Sequence, residues 1–212
     1  ISGGKDSMLM AKLFQELQKY SKVPFSVKYI VMDPGYSPEN RQVIEDNAKK
    51  LHIPVEIFES DIFDSVYHVE KSPCYLCARM RRGHLYNFAK QLGCNKIALG
   101  HHFDDAVETM LMNLLFEGRI GCFQPVTYLD RSGITQIRPL LYCHEDEVRR
   151  AAERLRLPVV QNPCPANGST RRQEVKELLV QLEQRYPNLR QKIFGAVQRY
   201  PLYGWNLEEM EK

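Results

Sequence analysis

The sequence predicts an α/β fold, a doubly wound parallel sheet followed by a small helical appendage. Three observations carry this reading. Short β-branched and aromatic segments alternate with helical periodicity through residues 1–168, the pattern of a parallel sheet covered on both faces. The strand-like segments stop at glycine, aspartate or histidine clusters from which helices start. From about Ser169 onward only helical patterning remains, punctuated by Pro187 and Pro201. The expected organisation is therefore one domain over 1–168 and a helical region over 169–212, without internal repeats or low-complexity segments.

Taken in order, residues 6–20 carry Leu9, Met10, Leu13, Phe14 and Leu17, one apolar stripe at helical spacing. Phe25 to Met32 is β-branched and aromatic and reads as a strand ended by Asp33-Pro34-Gly35. Pro38 to Leu51 reads as a helix with proline in its first turn, and Val55 to Phe58 as a short strand. A polar stretch leads to Cys74 and Cys77; Ala78 to Leu92 is a helix closed by Gly93. Lys96 to Gly100 reads as a buried strand, and Val107, Met110, Leu111, Leu114 and Leu115 as an amphipathic helix behind it. Val126 to Tyr128 and Gly133 to Leu140 are expected as two short strands around a turn. Glu145 to Leu157 is a helix with acids first and arginines later, the order the helix dipole favours. Pro158 to Val160 is expected as a last short strand.

Composition bounds function without choosing it. A hydrophobic fraction of 43% and a charged fraction of 26% fit an ordinary globular protein with a real core. No apolar run approaches the ~20 residues of a membrane span, and no basic-then-apolar leader argues for secretion. The net charge of +3 is compatible with an acidic partner such as RNA. Six cysteines are too few for a disulfide scaffold, and the Cys74-x-x-Cys77 spacing suits metal or redox chemistry in a reducing cytoplasm.

The chain opens with Ser2-Gly3-Gly4-Lys5-Asp6-Ser7. Glycines let backbone amides approach phosphate oxygens closely; the following helix N-terminus and Lys5 add positive charge, and the serines add hydroxyl donors. The bland alternative is a glycine-rich turn with a serine cap. The spacing is not that of the phosphoryl-transfer P-loop, which needs more residues between its glycines. Ser2 to Ser7 resembles the PP-loop of the N-type ATP pyrophosphatase superfamily. That resemblance implies an adenine nucleotide alpha hydrolase-like fold and attack on the α-phosphate of ATP, with adenylation of a substrate oxygen and release of pyrophosphate. The superfamily's second landmark matches Leu99-Gly100-His101-His102-Phe103-Asp104-Asp105. By this resemblance ATP is bound by Ser2, Gly3, Gly4, Lys5, Asp6, Ser7, Gly100 and His101. Met32 and Asp33, at a strand end, are placed beside adenine, with a plain strand-end turn as the equal alternative.

A more specific match runs from Ser72 to Gly83 through Cys74, Cys77, Arg79, Arg81 and Arg82. Together with Arg138-Pro139-Leu140 and Pro163-Cys164 it is similar to the tRNA 2-thiocytidine synthetase branch, over Ile1 to about Pro187. The resemblance implies a [4Fe-4S] cluster on Cys74, Cys77 and Cys164, one iron being left without a protein ligand. One departure is plain: Cys164-Pro165-Ala166-Asn167 lacks the second cysteine often found there, which removes a four-thiolate zinc site but not a three-cysteine cluster. A lone redox pair or half a zinc site is the competing interpretation. Cys94 and Cys122 read as buried small apolar residues; Cys143 is left open.

Arg81 stands four residues after Cys77, where the related 2-thiouridine enzymes place a catalytic lysine. It is accordingly a catalytic candidate with Lys5, Asp104 and Asp105, and solvated arginines are the alternative. Asp104 and Asp105 read as helix-start acids, as catalytic groups, or, for Asp105, as a Mg²⁺ ligand. Arg171, Arg172, Lys176, Arg185, Arg190, Lys192 and Arg199 outnumber Glu174, Glu177 and Glu183 up to Trp205, consistent with a tRNA-facing region.

The resemblance thus implies a cytoplasmic enzyme that adenylates the C2 oxygen of a tRNA cytosine and replaces it with sulfur held at the open iron. Its partners would be tRNA and a sulfur donor such as a cysteine desulfurase or free sulfide, with a homodimer as the usual assembly. The alternatives are thiolation of uridine or another base, or a non-catalytic iron–sulfur or nucleotide sensor. A loop of this kind should follow a hydrophobic strand, and only Ile1 precedes it, so a longer natural N-terminus with one more central strand is expected.

Overall fold

The computed structural model describes residues 1–67, 73–160 and 170–200; of Asp64, Tyr67, Pro73 and Cys74 only the backbone is described. The chain divides into two compact units: Ile1–His102 with Pro125–Asn167, and Phe103–Gln124 with Gly168–Lys212.

In the first unit, helix α1 (Lys5–Tyr20) is followed by strand β1 (Tyr29–Asp33), helix α2 (Pro38–Lys50) and strand β2 (Val55–Glu59). β1 and β2 pair in parallel with Val31 opposite Ile57. Ser37 caps α2 by accepting the Asn40 amide, and Pro38 fills the first turn, where a missing N–H costs nothing. Helix α3 (Ile62–Tyr67) precedes the long helix α4 (Pro73–Gln91), then strand β3 (Lys96–Ala98). After the second unit's helix α5 (Phe103–Glu117) come strands β4 (Val126–Leu129) and β5 (Ile134–Ile137), and helix α6 (Glu145–Arg154). β3 runs parallel to β5, and β4 adds an antiparallel edge, an arrangement common in large α/β sheets.

Three apolar clusters hold these elements. Met8 and Leu9 of α1 pack with Val148 and Ala152 of α6 and Leu157. Ala11 packs with Tyr29, Ala48 and Ile53, joining α1, β1 and α2. Ala89, Ile97 and Ile134 join α4 to β3 and β5. Ile1 packs against the first two clusters, and its amino group donates to the Ile30 carbonyl of β1.

The alternation is as expected, with four differences. The stripe on α1 is only half core: Met8 to Ala11 are buried, whereas Leu13 and Leu17 are 47% and 51% exposed. α3 occupies part of the stretch read as polar; Ile62 and Val66, four apart, bury its one apolar face. α4 begins at Pro73, not near Ala78, so the cysteine pair lies inside the helix. Residues 158–160 form no strand; the Val160 amide instead donates to the Gly3 carbonyl at 3.0 Å, and Pro158 has no N–H to give a ladder.

In the second unit α5 packs against helices α7 (Arg171–Arg185) and α8 (Leu189–Arg199). Phe103 of α5 lies on Phe194 of α8, ring centroids 4.5 Å apart. Thr170 caps α7 through the Gln173 amide. Among the described residues no helix is long and apolar enough to cross a membrane.

Candidate active site

Ser2 to Ser7 forms a tight loop against the start of α1. Gly3 adopts φ +81, and a Cβ there would lie 3.1 Å from Ile44 and 3.2 Å from Val160. Only glycine fits a left-handed backbone so closely walled. Gly4 is the N-cap of α1 and offers no capping side chain. The first amides of the helix therefore lack intrahelical acceptors and face the loop, a ready anion cradle. Within it the Ser2 amide donates to Ser7 Oγ at 3.2 Å, and Ser7 Oγ donates to the Gly4 carbonyl at 3.0 Å. These bonds tie Ser7 back to the start of the loop, and the helix N-terminus beside them suits an anion such as phosphate.

Lys5 Nζ lies 3.1 Å from Asp6 Oδ1 and 3.1 Å from Glu145 Oε1 of α6. Burial alone would lower the ammonium pKa, but Asp6 and Glu145 together outweigh it and raise it above the usual lysine value. Lys5 is thus charged across the physiological range. Lys5 Nζ donates to Asp6 Oδ2 and only ion-pairs with Oδ1, which is buried without a hydrogen bond among the described residues; His102, itself buried, brings Nε2 to 4.0 Å from it. Gly100 completes the contact: a Cβ there would meet Asp6 Cβ at 3.4 Å. The end of β3 and the start of α1 thus meet at Asp6.

His101 is tied to the other side of this strand end. Arg138 Nε donates to His101 Nδ1 at 3.2 Å, and Arg138 Nη2 donates to Gln136 Oε1 at 3.1 Å. Gln136, buried in β5, donates in turn to Tyr86 Oη of α4. A lone pair on Nδ1 means the neutral ring carries its proton on Nε2.

Asp33 ends β1 buried, its Oδ1 accepting the amides of Gly35 (2.9 Å) and Tyr36 (2.7 Å). This turn is built by the carboxylate itself and sets Tyr36 beside Arg81, whose Nη2 donates to Tyr36 Oη at 2.7 Å. The Arg81 guanidinium also sits 6.0 Å from the Tyr36 ring centroid. Met32 is half-buried with its sulfur 3.8 Å from Ser60 Oγ. Arg79 and Arg82 are exposed on α4.

The cysteines are placed less fully. Cys74 and Cys77 stand almost one turn apart in α4, and the Cys77 side chain is half-buried. The Cys74 side chain and Cys164 lie outside the described residues. Among the described residues no three His, Cys, Asp or Glu side chains gather as a metal site. Cys94 and Cys122, expected to be buried, are half-buried. Cys143 packs on the Met8 and Leu9 cluster, and burial followed by Glu147 raises its thiol pKa.

Asp104 and Asp105 belong to the second unit. Asp104 is buried and 2.9 Å from Arg190 Nη1, and Asp105 is 3.5 Å from Arg172 Nη1. Glu108, one turn on and fully buried, takes Arg172 at 2.9 Å and Lys176 at 3.6 Å. Three of the seven C-terminal cations read as an RNA-facing set are thus engaged by α5 carboxylates, whereas Arg171, Arg185, Lys192 and Arg199 are exposed. Sequence reading missed Tyr36, Glu108 and Glu145, whose partners are 45, 64 and 140 positions away. No local spacing signals such pairs.

The chain matches the PP-loop domain family model over residues 1–183. A tRNA-cytidine(32) 2-sulfurtransferase of Pelobacter propionicus is 36% identical over 202 residues, 93% of this chain and 75% of the relative. Its counterpart in Pseudomonas syringae pv. syringae is 38% identical over 205 residues, 93% of this chain and 74% of the relative. That of Shewanella oneidensis is 36% identical and covers all of this chain and 70% of the relative. Among solved structures, the U34-tRNA thiolase NcsA from Methanococcus maripaludis, described with its [4Fe-4S] cluster, superposes with a TM-score of 0.75 at 26% identity, covering 94% of this chain and 69% of that one. With the glycine-walled loop, its lysine and the strand end at Asp6 on one side and these matches on the other, the chain belongs to the PP-loop family, in its tRNA-cytidine(32) 2-sulfurtransferase branch.

Proposed function

We propose that this chain replaces the C2 oxygen of a tRNA cytidine, at position 32 as its relatives' name states, by sulfur at the expense of ATP. The observation that carries it is the loop at Gly3, whose left-handed backbone between Ile44 and Val160 suits only glycine, with the charged Lys5 beside it. In the first step the cytosine O2 attacks the α-phosphorus, the bond to the β-phosphate breaks and pyrophosphate leaves. In the second, sulfur bonds to C2, the C2–O bond breaks and AMP leaves with the oxygen. No electrons are gained or lost if sulfur arrives as sulfide.

The chain's residues divide this work. The loop amides and Lys5 hold the pyrophosphate moiety and stabilise charge as it departs. Met32 and Asp33 border adenine. Arg81, held by Tyr36, stabilises the charge that develops during adenylation. His101, in the tautomer Arg138 enforces, presents Nε2–H as a donor. Asp104 orients the base, and Asp105, the more exposed of the two, holds Mg²⁺ only if Arg172 yields. Cys74, Cys77 and Cys164 would hold a [4Fe-4S] cluster like that of the Methanococcus neighbour, and three thiols suit that group. When bound, it supplies the sulfur chemistry of the second step.

Exposed Arg79 and Arg82 on α4 and the exposed cations Arg171, Arg185, Lys192 and Arg199 contact tRNA phosphates. Cytoplasmic location, a homodimeric assembly, and a cysteine desulfurase or free sulfide as donor complete the reading. The neighbour's action on U34 makes uridine the competing substrate. Nucleosides from tRNA incubated with the anaerobically purified protein, ATP and sulfide distinguish the two: 2-thiocytidine is expected, and 2-thiouridine would overturn the cytidine assignment.

A further inference from the structure

Lys5 is gripped by two carboxylates of different origin. Asp6 is its chain neighbour and travels with the loop. Glu145 comes from 140 residues away, at the first position of α6, and reaches Lys5 Nζ at 3.1 Å. Its placement is not an accident of a loose side chain. α6 is seated on α1 by the shared cluster of Met8, Leu9, Val148 and Ala152. Its start is fixed by Glu147, which accepts the His144 amide at 2.7 Å. Two rigid helices therefore present one ammonium to one carboxylate at the mouth of the phosphate loop.

That arrangement conflicts with the loop's task. One lysine between two carboxylates is already over-neutralised, and an arriving pyrophosphate moiety adds further negative charge at the same nitrogen. Asp6 is the more confined of the two, its Oδ1 buried with His102 Nε2 at 4.0 Å and its Cβ against Gly100. Glu145 has somewhere to go, since a carboxylate at a helix N-terminus is stabilised there by the dipole. Both side chains have solvent access for such an exchange, at 25% and 35% exposure.

Resting on the assignment of the loop to pyrophosphate, we propose that Glu145 is an exchange ligand for Lys5. It occupies the ammonium when the loop is empty, yields it to the β,γ-phosphates of ATP, and reclaims it as pyrophosphate leaves. It acts through Lys5 and is a positioning residue, one that favours product release at some cost in affinity.

The test is titration of inorganic pyrophosphate, with Mg²⁺, into the full-length holoenzyme by calorimetry. Glu145→Gln is expected to bind pyrophosphate about tenfold more tightly than wild type, a change of about 1.4 kcal/mol. Glu145→Asp should return affinity toward the wild-type value. Damage to the fold would weaken binding, so tightening is a readout that a merely structural role does not give. Asp146→Asn removes the same charge from the same helical turn, where its partner is Arg150 at 2.8 Å, and should shift affinity less than about twofold. Unchanged or weaker binding by Glu145→Gln overturns the exchange, as does equal tightening by Asp146→Asn. Failure of wild type to bind pyrophosphate at all would overturn the loop assignment and this inference with it.

Discussion

Gly3 shows how much one residue decides. Its φ of +81 strains any other residue, and a Cβ would crowd its two walls, Ile44 and Val160. Gly3→Ala should cost about 1–3 kcal/mol of stability, read by thermal unfolding, and abolish detectable ATP binding; a variant as stable and as avid as wild type would contradict the cradle. Lys5 makes a prediction through its charge. Its pKa is raised in the fold, so the charged form persists through the usual lysine value and is lost only as pH rises through the raised one. AMP formation should show no loss assignable to Lys5 below about pH 10, while Lys5→Met should lower it at least about 100-fold. Arg81 tests its support in another way. Tyr36→Phe removes the 2.7 Å hydrogen bond but keeps the ring. It should lower kcat about 3- to 10-fold with ATP KM little changed, measured at saturating tRNA. A rise in KM alone would place Arg81 in ATP binding.

At the scale of elements, α5 carries two of the buried carboxylates among the described residues, Asp104 and Glu108. Burial pushes the Glu108 carboxyl up, with Lys176 and Arg172 pulling the other way. A raised carboxyl pKa favours the protonated group. Its contribution to stability is therefore present at acid pH and lost as pH rises through the folded value. Relative to Glu108→Gln, wild type should gain stability as pH falls from about 7 to about 5; a constant difference would mean that the two cations fully offset burial. Arg172→Met should destabilise by about 3 kcal/mol, because it strips one of two cations from a buried carboxylate.

The elements themselves were largely legible. Period-3.6 stripes and β-branched runs found α1, α2, α5 and α6 and the sheet strands within a few residues. The start of α4 was not, although Pro73 is a first-turn proline whose N–H would be wasted in any case. The exposure of Leu13 and Leu17 was hidden because periodicity marks an apolar face without saying what covers it. The segment 158–160 has strand composition, but its Val160 amide is used by the loop at Gly3.

For the whole molecule, sequence motifs located the loop and the strand end that meets it at Asp6, since each is a local pattern. What they could not give is the set of long-range partners. Glu145 on Lys5, Tyr36 on Arg81, and Arg190 on Asp104 exist only because the fold closes separations of 140, 45 and 86 residues. The basic bias of the C-terminal helices shows the same limit. A count of charges cannot tell Arg172, committed to Glu108, from exposed Arg185.

In the proposed reaction one protein couples adenylation to sulfur insertion in a tRNA cytidine. Anaerobically purified holoenzyme should be incubated with ATP, Mg²⁺, sulfide and unmodified tRNA, and the digested nucleosides and AMP quantified together by mass spectrometry. The expected result is 2-thiocytidine at position 32 with about one AMP per thiolated base, both lost in Lys5→Met. AMP release without 2-thiocytidine, or thiolation that persists without ATP, would contradict it.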